Sequence, residues 1–312
     1  MLKSNNVNEL FLGIDGGGSK TKAIIMNESN EVLGSGVAGP GNPMHGFEQA
    51  TNAITQSASL ALIDANLSHI NLDELTAGVG LAGVNLPSLF DKMQTWQHPF
   101  KQMYLTTDLH IACLGAHQKE DGAVIISGTG SCGFSYIDNQ AYIIGGHGFP
   151  QGDNGSGAWF GLKGVEHVLL SLDGLIDMSI MNSLLLMKLD CKNSTDLVEV
   201  IASKDATCFA QLAHIVFDAG EKGDKVAITI IKEGAEYIDN LARTLWKKKP
   251  SRLSIIGGLT ASIEPWLSNE VKTWLSLPLS APEVGAVLFA RSEKLKKSNN
   301  INSKKKYSSK FC

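Results

Sequence analysis

Three acidic residues stand where the chain turns over glycine or enters a helix: Asp15 in GIDGGGSKT, Asp108 in TTDLH and Asp153 in QGDNGSG. Asp15 directly precedes a glycine turn, where a carboxylate can hold Mg2+, through water, against the β and γ phosphates of a nucleotide. The same residue could instead close an Asx turn with no metal. Asp108 follows the apolar run MYLTT and precedes a helix-forming stretch. That place suits a general base taking a proton from a substrate hydroxyl, and it suits a helix N-cap equally. Asp153, with glycine on both sides of the Asp-Asn pair, could accept hydrogen bonds from sugar or alcohol hydroxyls; alternatively it or Ser156 caps the helix that follows. Asn42 in GPGNP is a candidate of the same kind as Asp153, whereas His147, between Gly146 and Gly148, reads as a loop contact rather than a catalytic group.

The glycine turn before which Asp15 stands occurs twice. Shifted by 112 residues, Ile14, Gly16, Gly18 and Ser19 fall on Ile126, Gly128, Gly130 and Ser131. Each copy follows a short apolar run and precedes two further strand-like segments, AIIMNESNEVLGSGVA and FSYIDNQAYIIGG. Residues without a Cβ let main-chain N–H groups approach phosphate closely, so a duplicated pair of turns predicts nucleotide binding between two halves. Two other phosphate loops are excluded. A Walker loop needs GxxxxGK[ST], but Ser19 precedes Lys20; a Rossmann fingerprint opens a helix, but KAIIMNESNEVLGSGVA has the composition of a hairpin. Gly257 and Gly258, closing the strand RLSIIGG, offer a surface without side chains on which a flat adenine could rest.

The elements that must position these groups follow from periodicity. The first half reads βββαβαβα, with Phe47, Ala50, Ile54, Ala58, Ala61 and Ala65 at helical spacing and AGVGLAG as a buried strand. The second half repeats the three-strand opening up to about Gly145. It then carries a helix through Trp159 and Leu169, three amphipathic segments, a long helix through Ile231 and Leu245, a strand at 252–258 and a last helix from about Glu283 to Leu295. The expected division is an N-terminal domain 1–118, a C-terminal domain 119–295 with a helical insertion 158–247, and a basic flexible tail 296–312.

Composition bounds the partners. Of 312 residues, 43% are hydrophobic and 19% charged, as in ordinary globular proteins, and no apolar run approaches a membrane span. Residues 1–9 lack the apolar stretch of a secretory leader, and five scattered cysteines suggest neither a disulfide frame nor a zinc site, which fits a cytoplasmic protein. Residues 291–312 carry eight Lys or Arg against one Glu, so the remainder is about −11, which argues against nucleic acid as a partner of the folded part. A membrane partner is likewise not expected; a homodimer, the commonest oligomer, is the state to test.

Taken together, IDGGGSKT, ISGTGSCGF and IIGGLT resemble the first phosphate, second phosphate and adenosine motifs of the ASKHA superfamily of actin-like and sugar-kinase ATPases. TTDLHIACLGAH, GGHGFPQGDNGSGAWFGL and APEVGAVLFA are similar to stretches of its BadF/BadG/BcrA/BcrD-type group, which contains N-acetylglucosamine kinase and bacterial glucosamine kinase; the likeness runs from about residue 10 to 291. The resemblance implies an α/β fold of two ribonuclease H-like (actin-like ATPase) domains with a central cleft and a helical insertion in the second domain. It implies ATP and Mg2+ as cofactors and an amino sugar, N-acetylglucosamine or glucosamine, as acceptor at its 6-hydroxyl. By the same resemblance Asp15 serves the metal, Gly16, Gly17, Gly18, Ser19, Lys20, Gly128, Thr129, Gly130 and Ser131 the phosphates, and Gly257 and Gly258 the adenosine. Asp108 becomes the base, and Asn42, Thr129, Gly146 and Asp153 become sugar contacts. Ser19 stands where the family usually has Thr, which keeps the hydroxyl, and Asn154 where Glu or Gln is common, which bears on the identity of the sugar. Two other readings stay open: an ATPase that activates a partner redox enzyme, which would need cysteines grouped for an iron–sulfur cluster, and a sugar sensor without turnover.

Overall fold

The computed structural model describes residues 9–119 and 121–308. Residues 1–8, where no secretory leader is expected, and 309–312 of the basic tail lie outside them. Two compact units result, Met1–Glu120 together with Pro278–Cys312, and Asp121–Leu277.

In the first unit β1 (Phe11–Gly16), β2 (Thr21–Met26) and β3 (Val32–Ala38) form an antiparallel meander, followed by α1 (Phe47–Asp64), β4 (Thr76–Leu81), α2 (Pro87–Gln94), β5 (Gln102–Thr107) and α3 (Asp108–His117). The sheet order is β3-β2-β1-β4-β5, with β1, β4 and β5 parallel. Every residue of β4 is buried, as a strand covered on both faces must be. α1 lays Ala50, Ile54, Ala58, Ala61 and Leu62 on one side of the sheet, against Leu12, Ile14 and Val79.

The second unit repeats the meander as β6 (Gly122–Ser127), β7 (Ser131–Ile137) and β8 (Gln140–Gly145), then passes into α4 (Gly157–Leu172), α5 (Ile180–Leu189), α6 (Ser194–Ile201), α7 (Ala206–Ala210), α8 (Ala213–Glu221) and α9 (Lys225–Trp246). Four helices rather than three lie between α4 and α9, because the short α7 has its own cap, Asp205, accepting the Cys208 N–H at 3.0 Å. β9 (Leu253–Ile256), α10 (Thr260–Ile263) and α11 (Asn269–Trp274) follow. The sheet order is β8-β7-β6-β9, the same order as in the first unit with the fifth strand reduced to a single parallel bridge from Leu253 to Leu275.

The last helix, α12 (Pro282–Ser308), corrects two expectations. It belongs to the first unit, not the second: a Cβ at Gly13, Gly78 or Gly115 would overlap the backbone carbonyls of Glu283, Ala286 or Ala281, and one at Gly285 the carbonyl of Ile111. Bare glycine backbone on β1, β4 and α3 lets α12 seat directly on them, closer than any side chain would allow. It also runs through residues 296–308, expected as flexible tail; that stretch contains no Gly or Pro and several Lys, a good helix former. No helix among the described residues is long and apolar enough to cross a membrane.

Candidate active site

Asp15 occupies the penultimate position of β1, facing Gly80 of β4, which in turn faces Thr106 of β5. Asp108 comes two residues after Thr106, so both carboxylates sit at the carboxyl edge of one parallel sheet, where α/β proteins bind ligands. The charge of Asp108 acts on Asp15. Burial, then the negative charges of Asp108 and Glu283, push the Asp15 carboxyl up to about 7, against the opposing pull of Lys20 and Lys22. Burial pushes Asp108 up to about 6, opposed by main-chain hydrogen bonds.

Both alternatives for these residues are resolved by neighbouring bonds. Asp15 forms no Asx turn: the Gly17 N–H that such a turn requires goes to the Lys20 carbonyl at 2.9 Å. Asp108 is not the cap of α3. Thr107 is, its Oγ1 accepting the His110 N–H at 3.2 Å, while Asp108 is the first helical residue, its carboxylate accepting the adjacent Leu109 N–H at 2.9 Å. Thr106 Oγ1 meets His110 Nδ1 at 3.0 Å, so the turn bearing Asp108 is pinned on both preceding residues.

Sequence reasoning missed the buried Glu283, which pairs with Lys22. Lys22 lies directly across the hairpin from Asp15, a relation visible only once the strand register is known. Of the other residues on this unit, Gly18, Ser19 and Lys20 are exposed at the tip of the turn, with Gly16 and Gly17 covered behind them. Asn42 bends back on itself, its Oδ1 accepting the Met44 N–H at 2.9 Å and lying against Gly83.

On the second unit the phosphate-type turn, the acidic loop and the Gly pair come together. The Gly128 and Thr129 carbonyls accept the Gly157 and Ala158 N–H groups at the start of α4, at 2.8 and 3.2 Å. Ser156 caps α4 by accepting the Trp159 N–H, which releases Asp153 from that duty. Asp153 adopts a left-handed φ of 57°, accepts the Gly148 N–H at 3.1 Å, and places its other oxygen beside Gly130. Its carboxyl is raised by burial, with the Gly148 N–H and His147 opposing. Gly257, with φ 125°, lies on the Ser127 carbonyl next to the turn, and a Cβ at Gly258 or Gly128 would meet no atom within 4 Å. Gly146 is exposed at the end of the third strand, with φ 69°. Ser131 differs from expectation: it is buried and its hydroxyl donates to the Asn154 carbonyl at 2.7 Å, so its side chain is not available to a phosphate.

The two glycine turns also differ in length. β1 and β2 pair Gly16 with Thr21 across four residues, whereas β6 and β7 pair Ser127 with Ser131 across three, so the 112-residue correspondence that aligns the first strands slips past the turn.

Residues 12–290 match the BadF/BadG/BcrA/BcrD ATPase family. The chain belongs to that family. It is 33% identical over 283 residues to a glucosamine kinase of Vibrio cholerae, covering 90% of this chain and 95% of that one. To an N-acetylmuramic acid/N-acetylglucosamine kinase of Clostridium acetobutylicum it is 29% identical over 305 residues, covering 90% and 98%. Among solved structures, one described as an N-acetylglucosamine kinase from Chromobacterium violaceum superposes with a TM-score of 0.85 at 25% identity, covering 91% of this chain and 99% of that one. The fold of this family member is accordingly that of the actin-like ATPases, with two α/β sheets of the same strand order.

Proposed function

We propose that the protein is an ATP-dependent amino-sugar kinase that phosphorylates the 6-hydroxyl of glucosamine or N-acetylglucosamine. The observation that carries the reading is the pair Asp15 and Asp108 at one sheet edge, with Asp108 relieved of capping by Thr107 and poised near neutrality. Asp108 takes the proton from the acceptor hydroxyl as the hydroxyl oxygen attacks the γ-phosphorus and the bond to the ADP oxygen breaks. A carboxyl titrating at about 6 is mostly ionised at pH 7.5 yet basic enough to hold that proton.

The residues around Asp15 fit a divalent cation. The negative charges of Asp108 and Glu283 add to burial in raising the proton affinity of Asp15 there, and an oxygen-seeking cation would relieve that repulsion. Among the described residues no cluster of three or more His, Cys, Asp or Glu could hold a metal alone, and Mg2+ is commonly bound by one or two carboxylates plus substrate phosphates. When bound it supplies charge neutralisation on the transferring phosphoryl group. Gly16 to Lys20 and Gly128 to Gly130 hold phosphates by main chain, Gly257 and Gly258 receive the adenosine, and Asn42, Thr129, Gly146 and Asp153 contact the sugar.

The sugars are taken from the relatives named above, all of which phosphorylate amino sugars by name. The test is ADP release measured with glucosamine, N-acetylglucosamine, N-acetylmuramic acid, glucose and no sugar. Turnover that depends on an amino sugar is expected; full-rate ATP hydrolysis without sugar overturns the reading.

A further inference from the structure

Tyr237 lies on α9, in the helical part of the second unit and more than eighty residues from any group assigned to the sugar. Its phenolic oxygen nevertheless reaches the sugar-side loop. Gly145, with φ 73°, ends β8 beneath it: a Cβ at that position would stand 2.7 Å from Tyr237 Oη, so only glycine leaves room for the hydroxyl. Gly146 comes next in the chain, and Asp153 is close enough for its charge to act on the phenol, which burial and then Asp153 and Cys132 push upward. A phenol raised in this way stays protonated at neutral pH and donates. The ring is half-buried, and its hydroxyl makes no hydrogen bond among the described residues. A partly buried hydroxyl without a partner is a group that a ligand can satisfy with net gain.

We propose that Tyr237 is a further sugar-binding, specificity-determining residue, donating its phenolic proton to an oxygen of the sugar whose neighbouring hydroxyl is held by Asp153. The inference rests on the amino-sugar kinase reading. Asp153 only accepts and Tyr237 donates, so the two together match adjacent ring substituents, one giving a proton and one receiving it. A protonated amino group has no lone pair to receive the phenol's hydrogen. Tyr237 therefore reads a ring hydroxyl or an acetamido carbonyl, and Asp153 remains free to face either a hydroxyl or an ammonium.

The experiment is steady-state kinetics of full-length Y237F with glucosamine, N-acetylglucosamine and glucose, beside the wild type. Y237F should raise KM for the preferred sugar about 3- to 10-fold while leaving KM for ATP and the melting temperature unchanged. A second variant, G145A, drives a methyl into the phenolic oxygen and should raise the same KM, with no further increase when combined with Y237F. Sugar KM values within twofold of wild type in Y237F and G145A, with the wild type active on an amino sugar, overturn the inference alone. A wild type that phosphorylates no sugar overturns both this inference and the reading beneath it.

Discussion

The Asp153 carboxylate lies against Gly130 of the second glycine turn: a Cβ at that position would stand 2.5 Å from Asp153 Oδ2. The loop proposed to hold sugar and the turn proposed to hold phosphate thus touch, which is the arrangement phosphoryl transfer between two such ligands requires.

G130A should displace Asp153 and lower kcat/KM for the sugar by about 10- to 100-fold, since positioning errors near 1 Å carry costs of that order. Because part of the effect runs through Asp153, G130A combined with D153N should fall short of the sum of the two single losses. Strict additivity in that cycle would show that the contact does not matter.

Asp108→Asn should reduce kcat by about 10² to 10⁴ with little change in KM for ATP, as for loss of a general base. The same change should stabilise the unliganded protein. A carboxyl raised from 3.8 to about 6 favours its neutral form in the fold, so its ionisation costs stability as pH rises through that interval. At pH 8 the neutral amide avoids that cost, and a gain of about 1–3 kcal/mol in denaturant unfolding is expected. A variant both inactive and less stable would point to a structural role instead.

The pH profile follows from the same group and from Asp15. Activity needs Asp15, raised to about 7, and Asp108, raised to about 6, both ionised, so kcat/KM should begin to fall below pH 7 and fall more steeply below pH 6, with the steeper limb absent in D108N's residual activity. A profile flat to pH 5 would exclude Asp108 as the base.

Thr107→Val removes the α3 cap and should cost about 1 kcal/mol of stability, with T107S restoring it. Since Thr107 holds the turn that carries Asp108, T107V should also lower kcat more than KM. Unchanged kcat in a destabilised T107V would separate the cap from the chemistry.

Much of this was legible beforehand because it lies in local pattern. The first unit's element order, the buried run at 76–81 and the α1 stripe through Ala50, Ile54, Ala58 and Ala61 follow from periodicity. What escaped depends on relations between distant residues. That Lys22 opposes Asp15 follows from hairpin register. That Thr107 rather than Asp108 caps α3 follows from where β5 ends, a boundary one residue wide. The membership of α12 in the first unit rests on Gly13, Gly78 and Gly115, each of which reads in sequence as an ordinary strand or helix interruption.

Because Pro282–Ser308 completes the fold that Phe11 begins, the chain leaves the first unit and returns to it, with the whole second unit spliced between. Residues on each side of the departure and return are tied together: Gln118 bonds Ser280 at 2.8 Å, while Asp121 and Leu277 bond the neighbouring Ser251 and Arg252. On the ribosome, therefore, the later-made segment has its full sequence first. The earlier one must wait, with β1 and β4 uncovered on one face, until the segment from Pro282 onward has been made.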